Sequence, residues 1–187
     1  TTVTVTATNP CSNPTCSFTV TVVDNQDPTI FCPSNINRNT DFNQCNAVVT
    51  FANPTYNDNC PGAVLTLTSP ANTASGSTFP KGTTMVNWKV TDASGRSAVC
   101  GFSVTVNDAQ LPSISCPANI NRVTDLNLCT AAVIYATPTS SDNCSVASTV
   151  LTSAANTASG SAFDKGGTTV IWQATDGTGN TATCSFT

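Results

Sequence analysis

The sequence predicts an all-β fold of small antiparallel sandwiches, arranged in tandem and reinforced by disulfides. Three observations predict it. Threonine and serine supply 53 of the 187 residues, all ten acids are aspartate, and charged residues make up only 9% of the chain, so helix formers are scarce and β-branched residues abundant. Apolar residues alternate with period two in several short runs bounded by turn residues. Ten cysteines stand beside no histidine, which points to disulfides and an oxidising compartment rather than to a metal cluster.

The same composition excludes several function classes. A net charge of −4 with six dispersed cations argues against a phosphate-binding surface and so against nucleic acid. Without histidine there is no imidazole base, no Ser-His or Cys-His pair and no imidazole metal ligand. No apolar run approaches the roughly 18 residues of a membrane span, and no signal-peptide pattern opens the sequence. Neither a Gly-x-Ser-x-Gly elbow nor a phosphate loop is present. Paired aspartates could hydrolyse glycosides, yet every aspartate falls in a repeated turn or a linker, a poor place for a unique active site. The expectation is a protein that is not an enzyme.

The organising feature is an internal repeat of 84 residues. Cys32, Cys45, Cys60 and Cys100 recur as Cys116, Cys129, Cys144 and Cys184, and Cys16 stands the same distance before Cys100. Trp88 returns as Trp172, Gly82 as Gly166, Phe102 as Phe186 and Asp92 as Asp176. Residues 17–103 align with 101–187 without a gap. The reading is therefore a repeat over 28–111, a second over 112–187 with its last strand incomplete, and residues 1–27 as the C-terminal hairpin of a preceding repeat. On this reading the sequence is a window on a longer array.

Within a repeat the elements follow in order. Cys45, Ala47, Val49 and Phe51 share one face of an early strand, and Ala63 to Thr68 form another. Val86, Trp88 and Val90 alternate with Met85, Asn87 and Lys89, which makes a half-buried strand. The turn Asp92-Ala-Ser-Gly95 leads into a strand whose inner face carries Ala98, Cys100, Phe102, Val104 and Val106, closing a hairpin. Short strands around one buried tryptophan suggest an immunoglobulin-like sandwich.

Four cysteines per repeat allow three pairings. Cys45 and Cys100 both face inward, so a bridge across the core is natural and leaves Cys32 for Cys60. The second repeat would follow with Cys129–Cys184 and Cys116–Cys144. Pairing Cys45 with Cys60 is the poorest choice, because an extended strand separates them. Cys11 has no counterpart; it would close a small ring with Cys16 or serve an intermolecular bond.

Several ordered motifs carry a family resemblance. Asp-x-x-x-Pro-x-Ile-x-Cys-Pro-x-Asn-Ile runs from Asp24 to Ile36 and again from Asp108 to Ile120. Asp58-Asn-Cys60 recurs as Asp142-Asn-Cys144, and Phe79-x-Lys-Gly82 as Phe163-x-Lys-Gly166. Thr175-Asp-Gly-Thr-Gly-Asn180 and Cys184-Ser-Phe186 complete the set. The chain resembles the hyalin repeat (HYR) domain, an immunoglobulin-like module of extracellular proteins. The resemblance covers both repeats and the leading fragment, and implies cell adhesion or extracellular architecture rather than catalysis. Lys81 and Lys165 depart from it where the family more often has an apolar residue, and Cys11 is an addition.

Candidate sites are few. In such a sandwich the loop with Asp58, the turn with Asp92 and the linker with Asp24 and Asp27 gather at one end, where carboxylates could hold calcium and stiffen a joint. The second joint offers Asp108, Asp142 and Asp176, but Ala109 and Leu111 replace Asn25 and Asp27, and that lost ligand is the main argument against calcium. The alternative is that Asp92 and Asp176 cap their turns while Asp58 and Asp142 bond nearby backbone amides. Asn143-Cys-Ser145 fits an N-glycosylation sequon whose middle cysteine is a candidate for bridging. Lys81 and Lys165 sit beside glycine in turns, so an isopeptide crosslink is not expected. Together these features predict a secreted structural protein, a building block of a fibre or cell-surface filament that associates with itself. The alternative is an adhesin or receptor stalk binding a protein or glycan partner.

Overall fold

The computed structural model describes every residue except Asn9, Pro70 and Ala155. Among the described residues the structure is all-β, with no helix. The strands of the first half are β1 (Thr2–Thr6), β2 (Thr15–Thr19), β3 (Thr29–Phe31), β4 (Ile36–Asn39), β5 (Asn46–Val49), β6 (Thr55–Asn57), β7 (Val64–Leu67), β8 (Ser77–Pro80), β9 (Gly82–Thr91) and β10 (Ser97–Asn107). The second half adds β11 (Ser113–Ser115), β12 (Thr130–Ala132), β13 (Thr139–Ser141), β14 (Val146–Leu151), β15 (Ala162–Asp164), β16 (Val170–Asp176) and β17 (Thr181–Phe186).

The chain forms two compact units. The first comprises residues 1–33, 53–69 and 87–101, the second 34–52, 70–86 and 102–187. In the first unit β1 pairs with β2, β3 with β6, and β7 with the end of β9, all antiparallel. Trp88 and Val90 are its buried apolar anchors.

In the second unit β5 pairs antiparallel with β8, whereas β4 lies parallel to β10, with Val104 opposite Ile36. The predicted alternation is present: Phe102, Val104 and Val106 are buried, while the intervening Ser103 and Thr105 are not. Phe51 meets Phe79 and Phe102 edge-on, with ring centroids 6.4 and 5.0 Å away, the geometry that aromatic quadrupoles favour. The second repeat rebuilds this core with Tyr135, Val170 and Phe186, against which Cys116, Leu151, Phe163 and Trp172 pack. Tyr135 takes the place of Phe51 and donates its hydroxyl to the carbonyl of Thr157, so the added oxygen is satisfied within the core.

The disulfides correct the expected pairing. Cys32 bonds Cys100, not Cys60, and Cys116 bonds Cys184, not Cys144; their Cα atoms lie 5.8 and 5.7 Å apart. Cys45 bonds neither Cys100 nor any cysteine of its own repeat but Cys144 of the next. Cys129 is a thiol rather than the partner of Cys184, and Cys60 and Cys16 are thiols too; the Cys11–Cys16 ring is therefore not formed. The physical reason is that strand parity fixes the face a residue occupies but not its level along the strand. Cys45 and Cys100 share inward parity, yet Cys100 lies beside Cys32 in the first unit while Cys45 immediately precedes β5 in the second. Each intra-repeat bridge spans 68 residues, which restricts the unfolded chain by about 4 kcal/mol.

Candidate metal centres and the bridged joint

Asp24, Asp58 and Asp92 converge in the first unit: one carboxylate oxygen from each lies within 4.8 Å of the others. Their loops explain why. Asp92 opens the β9–β10 turn, and its Oδ1 accepts the backbone N–H of Ser94 at 2.9 Å and of Arg96 at 2.7 Å. Oδ2 of Asp58 accepts the N–H of Cys60. Oδ1 of Asp24 accepts the N–H of Gln26 and an amide hydrogen of Asn59, and the Gln26 bond is the leading cause that holds this carboxyl below its ordinary pKa. Each carboxylate thus uses one oxygen to fix its own loop. The other oxygens, Asp24 Oδ2, Asp58 Oδ1 and Asp92 Oδ2, are buried and unpartnered. Turn capping and cation binding are therefore compatible here, because they draw on different atoms.

Three carboxylates this close repel one another, and one oxygen of each lacks the hydrogen bond that normally accompanies burial. Three oxygens within 4.8 Å of one another leave a central ion at most about 2.8 Å from each, and a small inward shift brings all three to the roughly 2.4 Å typical of calcium, so the residues present fit such an ion.

Asp108, Asp142 and Asp176 repeat the arrangement in the second unit, again within 4.8 Å, but protein groups occupy more of their oxygens. Asp176, only 2% exposed, accepts the N–H groups of Thr178 and Asn180 on Oδ1 and the Asn180 amide on Oδ2. Burial alone would raise its pKa; the Asn180 amide and the backbone N–H groups of Thr178, Asn180 and Gly179 outweigh that and hold it down. Asp108 Oδ2 takes the Thr178 hydroxyl. Of the three carboxylates only Asp142 keeps an orphaned oxygen, beside the unpartnered Oδ1 of Asn143.

The second feature is the contact that the loop before β5 and the β8–β9 turn make with the second repeat, all of it inside the second unit. Cys45 bonds Cys144 with Cα atoms 4.6 Å apart. Gln110 exchanges two hydrogen bonds with Asn43, its Oε1 accepting the backbone N–H and its Nε2 donating to Oδ1, both at 3.0 Å. Asn143 donates to the carbonyl of Gln44 at 2.8 Å, and Lys81 donates to the Thr178 hydroxyl at 3.4 Å. Asn43 holds a φ of 56°, a left-handed conformation that asparagine tolerates.

Such ordered pairs of cysteines, repeated asparagine turns and matching aspartates point to one module used twice. The family model described as "HYR domain" matches residues 23–106 and again 107–187. The chain belongs to the HYR domain family. HYR relatives include hyalin of Strongylocentrotus purpuratus, 35% identical over 179 residues, which covers 92% of this chain and 14% of that protein. Hyalin of Lytechinus variegatus is 32% identical over 156 residues, covering 80% of this chain and 29% of the relative. The mouse sushi, von Willebrand factor type A, EGF and pentraxin domain-containing protein 1 is 34% identical over 166 residues, 87% of this chain and 4% of that protein. The HYR chain thus spans less than a third of each of these relatives. Among solved structures, extracellular cadherin domains 1–5 of protocadherin gamma B2 align over 99% of this chain and 44% of theirs, at 14% identity and a TM-score of 0.44.

Of the four aspartates expected as calcium ligands in the first HYR repeat, three come together and Asp27 does not. Asp27 pairs with Arg96 at 3.0 Å. Its replacement by Leu111 is matched by the replacement of Arg96 with Asn180, so the missing aspartate removes an ion pair rather than a ligand. The Asn143 amide of the predicted sequon donates to Gln44 and Asp108, and its neighbour Cys144 is bridged. Sequence reasoning missed Asn43, Gln110 and Asn180; the first and third stand in turn motifs, and their partners lie 67 to 72 residues away in the chain.

Proposed function

We propose that these HYR sandwiches are building blocks of an extracellular fibre or cell-surface filament, in which successive repeats are held stiffly by covalent staples. The Cys45–Cys144 bridge carries the reading: polypeptide and disulfide both cross from one repeat to the next, so tension applied along the chain has two covalent routes. Three disulfides among the described residues support an oxidising, extracellular setting. The accompanying domain reading is a repeat over 28–111, a second over 112–187, and residues 1–27 as the closing hairpin of another.

The same reading assigns calcium to Asp24, Asp58 and Asp92, supported by their three orphaned oxygens. An ion there would neutralise the mutual repulsion and fix the linker that carries Asp24 against two loops of the sandwich.

Electron microscopy of the native material tests the function. Regular filaments composed mainly of this chain are expected. A monomeric rod that binds a protein or glycan saturably would replace the proposal with an adhesin or receptor stalk.

A further inference from the structure

The joint that Cys45 and Cys144 close is written twice more in this chain, once as each half. Displaced by 84 residues, the half that carries Cys45 recurs around Cys129 and the half that carries Cys144 recurs around Cys60. The local structures agree in detail. Lys81 N–H donates to the carbonyl of Cys45 and Lys165 N–H to that of Cys129, at 3.2 and 3.0 Å. Oδ2 of Asp41 accepts the N–H of Val48 and Oδ2 of Asp125 that of Ala132, at 2.9 and 3.0 Å. Asn43 and Asn127 share a left-handed φ of 56° and 60°. On the other half, Asn59 and Asn143 each donate to their linker aspartate at 3.3 Å and stand against the following cysteine sulfur.

Every polar contact of the closed joint has both its members in the open halves. Asn43 and Gln110 correspond to Asn127 and Gln26. The Asn143 bond uses a backbone carbonyl of residue 44, so Leu128 in place of Gln44 preserves it for Asn59. Lys81 and Thr178 correspond to Lys165 and Ser94, which keeps the ammonium and a hydroxyl. Cys60 and Cys129 are both thiols, whereas the cysteines at their equivalent positions are bonded to each other.

We propose that Cys60 and Cys129 are the two halves of a further inter-repeat bridge, so that Cys129 bonds the Cys60-type cysteine of another copy of this HYR repeat and Cys60 bonds the Cys129-type cysteine of yet another. The partner is defined by chemistry: a repeat with a cysteine after Asp-Asn and a glutamine two residues past its linker aspartate. In the step, two thiols become one disulfide, and a small-molecule disulfide such as oxidised glutathione takes the two electrons and two protons to become two thiols. This inference rests on the observed bridge and the repeat, and stands apart from the calcium and filament readings.

The test mixes ¹⁴N- and ¹⁵N-labelled chain in a glutathione redox buffer and maps peptides without reduction. A mixed-isotope Cys60–Cys129 peptide is expected, absent from Cys60→Ser and from Cys129→Ser, with Cys45–Cys144 retained in all three. A second arm appends residues 104–187 in phase after Thr187; there Cys129 is expected to become resistant to alkylation, bonded to the added copy of Cys144. Bridging in the second arm alone still supports the proposal and confines the bond to one polypeptide. The proposal is overturned if Cys129 stays reactive in the extended chain while Cys45–Cys144 is formed. Cys60–Cys60 and Cys129–Cys129 pairs in place of the mixed pair overturn it equally, since unselective oxidation of surface thiols would give those.

Discussion

Cys45 and Cys144, 99 residues apart in sequence, are bonded to each other with Cα atoms 4.6 Å apart. The bond joins one repeat to the next, and four further hydrogen bonds surround it.

Removing this bridge should uncouple the repeats without unfolding them. Cys45→Ser with Cys144→Ser leaves Cys32–Cys100 and Cys116–Cys184 in place, so each core keeps its own staple. A single calorimetric transition in the parent is expected to split into two in the double variant, with up to about 4–5 kcal/mol of loop-closure stabilisation lost. An unchanged single transition would mean that the hydrogen bonds alone couple the repeats.

Calcium should stabilise the first unit through its aspartate cluster. At a concentration tenfold above the dissociation constant, binding contributes about 1.4 kcal/mol, or a rise in melting temperature of several degrees. Asp92→Asn keeps the oxygen that caps the turn but loses the charge on the orphaned one, and is expected to abolish the rise. Asp27→Asn, whose side chain faces Arg96, is expected to leave it intact. Differential scanning calorimetry with and without calcium reads both.

Stability should fall in acid. Asp24 and Asp176 both have folded-state pKa values below those of the unfolded chain. Their contribution is fully present above the ordinary aspartate value of about 3.9 and is lost as pH falls through the lowered folded values. Thermal melts between about pH 6 and about pH 2 are expected to show a declining melting temperature at the acid end, with a shallower decline in Asp176→Asn.

Phe102→Ala should be among the costliest single changes in the first repeat. Phe102 is 2% exposed and meets Phe51 edge-on, so truncation leaves a cavity that strands cannot collapse around, at about 3–5 kcal/mol. Urea titration would show a lower midpoint with an unchanged slope.

Much of this is legible in the sequence. Val86, Trp88 and Val90, and then Phe102, Val104 and Val106, are buried as period-two alternation requires, because the pleat alone decides which side chains face in. The convergence of Asp24, Asp58 and Asp92 follows from loops that gather at one end of a sandwich. The cysteine partners do not follow, since alternation places Cys45 and Cys100 on a face without saying how far along the strand each lies. Cys144 is hidden for a related reason: a motif repeated every 84 residues looks identical whether its cysteines pair within a copy or between copies. The role of Asn180 is hidden as well, because its amide reaches the carbonyl oxygens of Asp108 and Gln110 from 72 and 70 residues away.

The central claim is that successive HYR repeats are stapled to each other as well as within themselves. Mass spectrometry of non-reduced proteolytic peptides tests it most directly. The account predicts Cys32–Cys100, Cys116–Cys184 and a peptide joining Cys45 to Cys144. Peptides joining Cys45 to Cys100 and Cys32 to Cys60 would contradict it.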